Sequence, residues 1–157
     1  MPRLEVPLLH RTLWASGDVL VHGELELLMK TAAGVWQRET FRVDSGSEMT
    51  TMPAARARQL DLPMPTAPVP HAVHQPTGLP FRSGFLRVQI VGMDQSEYVF
   101  PCFFLGDPDA PPAPPLPPAM IPRNLLGLSG VIDKLEIRYN GKVTAHAAYG
   151  NLIVEKL

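Results

Sequence analysis

From Val19 to Ala148 the chain runs as short apolar stretches, most of them closed by Gly, Pro, Asn or Asp. That punctuation leaves little room for long helices and favours antiparallel β-structure. Val19–Lys30 and residues 35–43 are expected strands, joined by Thr31-Ala32-Ala33-Gly34 with glycine near the turn. Residues 85–91 and 97–105 flank Gly92-Met93-Asp94-Gln95 as a second hairpin. Residues 137–139 and 142–148 surround Asn140-Gly141, the strongest two-residue hairpin signal in the chain. Two short helical candidates remain. One is residues 54–60, with Thr51 or Met52 at the N-cap and Pro53 in the first turn, where its missing N–H costs nothing. The other is the amphipathic stretch 131–135. The expected fold is mostly β and barrel-like.

At 157 residues the chain is expected to form a single domain, 1–157, with a real core. A hydrophobic share of 45% argues against wholesale disorder. The net charge of −1 gives no electrostatic reason to expect nucleic acid or a membrane surface as partner. Arg56 and Arg58 read as solvated. Cys102 is alone, so an intrachain disulfide is impossible, and its apolar surroundings suit a buried inert thiol. The first residues lack a signal peptide's apolar stretch and no segment has bilayer length, so a cytoplasmic location is expected. His71 and His74 have a spacing a metal could share, but no further ligand accompanies them, and no metal is expected. Met49, Met52 and Met64 read as core fillers, and Trp14 and Trp36 as packing anchors. Residues 107–122 carry eight of the 18 prolines and read as a polyproline surface loop. Within it Pro112-Ala113-Pro114-Pro115 formally fits a PxxP ligand.

The strand 35–43 runs straight into Asp44-Ser45-Gly46-Ser47, which occurs once. Thr50 to Leu60 follow as a cap and short helix, and a glycine at 78 sits in an extended hairpin spanning 71–84. Late in the chain, Asn124-Leu125-Leu126-Gly127-Leu128 precedes the second helical candidate. In this order the parts resemble the retropepsin-like aspartic proteases, the single-domain family that includes the retroviral enzymes. That family's pattern is a strand into Asp-Thr/Ser-Gly, a glycine-bearing flap, then two aliphatic residues and a glycine. The resemblance spans about residues 35–141.

It implies a closed, barrel-like acid-protease fold with one or two short helices and one Asp-Ser-Gly loop per chain. It also implies an aspartic endopeptidase without cofactor, acting on an extended peptide or protein substrate. Catalysis needs two carboxylates, so the two Asp44 side chains of a homodimer would share one site. Charges that close cannot both be ionised at neutral pH, so the pair would hold one proton and activate water between them. Gly46 would give an N–H to the carboxylate, Ser45 would bond across the dimer, and Ser47 would bond the outer carboxylate oxygen. Thr77 and Gly78 would lie in the flap over the substrate, and Leu125, Leu126 and Gly127 would support the Asp44 loop. Family members pair through chain termini. Residues 151–157 could supply such a strand, or could instead complete the chain's own sheet.

Two departures stand out. Leu128-Ser129-Gly130 replaces the Arg that braces the loop in viral members, and the segment before Arg123 is unusually long and proline-rich. They favour an alternative, a catalytically silent module that grips peptides with the same fold. A structural β-domain with a chance triplet is a third reading.

Overall fold

The computed structural model describes residues 2–111 and 124–157. The PxxP match and most of the proline-rich stretch lie outside the described residues. The elements are β1 (Arg3–Pro7), β2 (Leu9–Thr12), β3 (Val19–Lys30), β4 (Trp36–Val43), β5 (Thr50–Pro53), α1 (Ala54–Gln59), β6 (Phe81–Ile90), β7 (Tyr98–Leu105), β8 (Leu125–Leu126), β9 (Leu135–Asn140) and β10 (Asn151–Lys156). Among the described residues the fold is mostly β with one short helix.

Seven strands form one sheet in the order β2-β3-β4-β8-β5-β7-β6, and β6 also pairs with β3 through Leu27↔Ile90, Leu28↔Gln89 and Met29↔Val88. Three more strands form a smaller sheet, β1-β10-β9. Period-two burial builds the core. On β3, Leu25, Leu27 and Met29 are buried, on β7 Tyr98, Phe100, Cys102 and Phe104, and on β6 Leu86, Val88 and Ile90. Each large side chain buried this way contributes about 1.5–3 kcal/mol, more than a typical net hydrogen bond. Packing therefore holds the sheets together, and the hydrogen-bond ladders set their register.

The β3–β4 and β6–β7 hairpins form where the alternation places them. Three local expectations give way to tertiary pairing. Thr50–Pro53 is a strand rather than a helix start, because it pairs with β7 on one side and β8 on the other. The N-cap of α1 is Pro53 itself, with no side-chain cap. Residues 131–135 make successive turns, including Val131 N–H to Leu128 at 3.0 Å, and Leu135 already starts β9. So short a stretch is below the length at which a helix sustains itself.

Asn140-Gly141 is not a two-residue hairpin. β9 pairs instead with β10, from Asn151↔Asn140 onward, across a loop of residues 141–150. The glycine that closes this loop is Gly150, at φ 92°, where a Cβ would stand 2.0 Å from the Asn140 carbonyl oxygen. β10 pairs with β1 on its other side, so both its edges are occupied within the chain. Residues 151–156 thus complete the chain's own sheet.

Other side chains depart from expectation as well. Trp14 is 101% exposed and anchors nothing, while Trp36 lies under the Lys30 ammonium at 5.5 Å. Arg56 makes a two-pronged ion pair with Glu39, at 2.7 and 3.0 Å, tying α1 to β4, and Arg58 pairs with Asp109. Met52 in the core and Met64 packed against it are, by contrast, as expected. No helix among the described residues is long and apolar enough to cross a membrane.

Candidate active site

Asp44 follows the last residue of β4, and its position is set by β8. The two-residue strand Leu125-Leu126 lies between β4 and β5, parallel to the first through Arg42↔Leu125 and Val43↔Leu126 and antiparallel to the second through Thr51↔Leu125. Backbone bonds lace it in place, with Arg42 N–H donating to Asn124 at 2.9 Å and Asp44 N–H to Leu126 at 3.0 Å. The Asn124 amide donates to the Thr40 carbonyl at 3.1 Å. Leu126 is buried in the core, which fixes this insertion more firmly than any one of those bonds.

The loop itself is a tight turn. Gly46 N–H donates to Asp44 Oδ1 at 3.0 Å, and Ser47 N–H donates to the Asp44 carbonyl at 3.1 Å. A Cβ on residue 46 would stand 3.3 Å from that carboxylate oxygen, so glycine allows the close approach. Asp44 is half-buried, and Ser45 and Gly46 are exposed. The Ser47 hydroxyl donates to the Met49 carbonyl at 2.8 Å rather than to the Asp44 carboxylate. Ser47 therefore shapes the turn out of the loop, because its own side chain folds back along the chain.

Gly127 closes the arrangement. Its N–H donates to Thr50 Oγ1 at 3.1 Å, and a Cβ there would stand 2.3 Å from the Met49 carbonyl carbon. Where an arginine brace is missing, backbone does the bracing. Leu128 N–H donates to Ser47 at 3.0 Å and Ser129 N–H to Glu48 at 2.7 Å.

Two participants were invisible in the sequence. Thr50 is fully buried and holds Gly127. Tyr139, on β9, donates its hydroxyl to the Val43 carbonyl at 3.4 Å, one residue before Asp44. Burial raises the Tyr139 phenol above its ordinary value, the Asp44 charge adds to this, and Arg42 opposes it. No local signal marks either residue, since both act across distant strands.

Thr77 and Gly78 lie in a separate turn, with no hydrogen bond to the Asp44 loop among the described residues. A His74↔Leu79 bridge closes that turn, and Gly78 N–H donates to His74 at 2.7 Å. Gly78 has φ 68°, which favours glycine, and open space around it. Thr77 Oγ1 is 2.9 Å from His74 Nδ1, and desolvation lowers the His74 pKa. His74 and Phe81 both pack on Phe103, with ring centroids 6.4 and 4.4 Å away, so the base of the hairpin is anchored to β7. A hollow of about 490 Å³ runs along β6, lined in part by Leu62, Met64, Pro65, Phe85 and Arg87, and does not include Asp44.

No family model matches the sequence, and no curated protein matches it. Among solved structures, the chain is similar to a retropepsin-like aspartic protease from Rickettsia conorii. The two are 13% identical with a TM-score of 0.50, over 97% of this chain and 91% of that one.

Proposed function

We propose that this chain, which has the fold of the retropepsin-like aspartic proteases, is one half of a homodimeric aspartic endopeptidase. The ring of strand pairings β3-β4-β8-β5-β7-β6 is then the barrel of that fold. The observation that carries the reading is the Asp44 carboxylate, accepting Gly46 N–H at 3.0 Å in a loop that inserted β8 holds from below. A loop so constrained presents the carboxylate at a fixed place, which catalysis needs and a chance turn does not.

Two copies meeting at Asp44 share one proton. The ionised member takes a proton from the water between them as that water attacks the scissile carbonyl, and the protonated member gives its proton to the carbonyl oxygen. A tetrahedral diol forms. The carboxyl that took the water's proton passes it to the amide nitrogen, the C–N bond breaks, and the other carboxylate takes back a proton from a diol hydroxyl, without an acyl-enzyme. Gly78 lets the hairpin 74–79 close over the peptide and Thr77 borders it, excluding water. The peptide is held as an added strand. The domain is the whole chain, 1–157.

The test is cleavage of a diverse peptide mixture at about pH 5 by wild type and Asp44→Asn across a dilution series. Second-order dependence on dilute protein, abolished in the variant, is expected. A rate unchanged from about pH 5 to 9 would exclude a proton-sharing pair. Peptide binding by a dimer that never turns over would instead favour a silent peptide-binding module.

A further inference from the structure

β3 is longer than its partner. The register Gly23↔Val43 ends β4, so Val19–His22 continue past the point where Asp44 leaves the sheet. There, among the described residues, they pair only with β2, through Leu9↔His22, His10↔Val21, Arg11↔Leu20 and Thr12↔Val19. The result is an arm, closed at its tip by Leu13 N–H to Asp18 at 2.7 Å and Gly17 N–H to Leu13 at 2.8 Å.

The inward stripe of β3 runs through Gly23, Leu25, Leu27 and Met29, all buried. By strand alternation the same face continues as Val21 and Val19, but these are 43% and 45% exposed. A core-type stripe thus runs out beyond the body of its own chain. On the same face of the arm, His10 packs on Tyr149 with ring centroids 4.6 Å apart. Leu9 is exposed on the other face, and Trp14 at the tip is wholly exposed.

We propose that this arm is a clasp whose occupant is a second copy of the same chain. The inference rests on the two-chain reading of Asp44 and adds where the chains hold each other. Val19 lies four residues past the end of β4, or about 13 Å at the strand rise. With the two carboxylates in hydrogen-bonding contact, an arm reaching that far beyond Asp44 passes alongside the partner. Two-fold symmetry makes the embrace mutual. Trp14 alone can bury about 200 Å². With Val19 and Val21 on one face, Leu9 on the other and Tyr149 of the neighbouring loop, the arm and its base offer a large share of the roughly 800 Å² per partner that a standard interface buries. Pairing through β10 would need a free edge on that strand, and both its edges are used within the chain.

The test is sedimentation of wild type, Trp14→Ala, the double variant Val19→Ser/Val21→Ser, and the exposed control Val35→Ser in the β3–β4 turn, away from the arm. The arm variants should weaken dimerisation about tenfold or more, and the control should not. Equal dimerisation by all four overturns the clasp while leaving the two-chain reading intact. A wild type that stays monomeric and inactive at every concentration overturns both.

A second measurement avoids changing the arm. With Trp36→Phe, Trp14 is the sole tryptophan, and its emission should shift to the blue as the protein is concentrated through the dimer range. No shift on dimerisation, or a shift appearing only on adding peptide or lipid vesicles, would assign the arm another occupant and overturn the proposal.

Discussion

The α-carbon of Gly127 faces the Met49 carbonyl so closely that a Cβ would stand 2.3 Å from its carbon and 2.4 Å from its oxygen. Both neighbours are backbone, so nothing can swing away. Gly127→Ala must push β8 out from between β4 and β5, at a cost of about 3 kcal/mol or more. Denaturant unfolding of this variant should show the loss, and a near-wild-type midpoint would refute the close approach.

Thr50 holds the same glycine from the side, as acceptor for its buried N–H at 3.1 Å. Thr50→Val keeps the shape and leaves that donor unpartnered, which costs about 1–3 kcal/mol. Thr50→Ser keeps the oxygen and should cost clearly less. If both variants lose the same stability, the bond is not what matters.

Tyr139 reports on Asp44. Its phenol is raised by burial first and by the Asp44 charge second. Asp44→Asn should therefore move one tyrosine titration back toward its ordinary value, read as phenolate absorbance. A phenol raised in the folded state keeps its proton while the unfolded chain loses it, so its contribution is present below the unfolded value and fades as pH rises toward the folded one. An unchanged titration in Asp44→Asn would place the two groups out of electrostatic reach.

Gly78 has φ 68° with nothing within 4 Å. Gly78→Ala meets no clash, and the backbone strain of about 1 kcal/mol falls on an exposed turn. Peptide kcat/KM should fall by several-fold to about tenfold, while the thermal midpoint barely moves. Equal activity would remove this turn from a role over the substrate.

Cys102 is 0% exposed, and burial raises its thiol far above the usual range. Alkylating reagents should leave it unmodified in the native protein and modify it at the rate of global opening. Rapid alkylation under native conditions would contradict its place in the core.

Much of this protein was legible one segment at a time. The alternation of residues 35–43 and the turn chemistry of Asp44-Ser45-Gly46 are local, so the strand and the loop after it could be read from the residues alone. The close carboxylate approach at Gly46 was readable for the same reason. What could not be read was set by partners far along the chain. Thr51, Met52 and Pro53 looked like a helix start and became a strand because β7 and β8 flank them. Ser47 turned its hydroxyl to Met49, Trp14 was left bare at the tip of an arm, and Gly150 rather than Gly141 closed the last hairpin. Strand periodicity, the single Asp-Ser-Gly turn and the two-aliphatic-plus-glycine run are written in neighbouring residues. Folding was needed to insert Leu125-Leu126 beside Asp44, to bring the Tyr139 hydroxyl to the Val43 carbonyl, and to let β3 outrun its neighbour. Propensity acts over a few residues, whereas register and burial are properties of strands that meet only once the chain has folded.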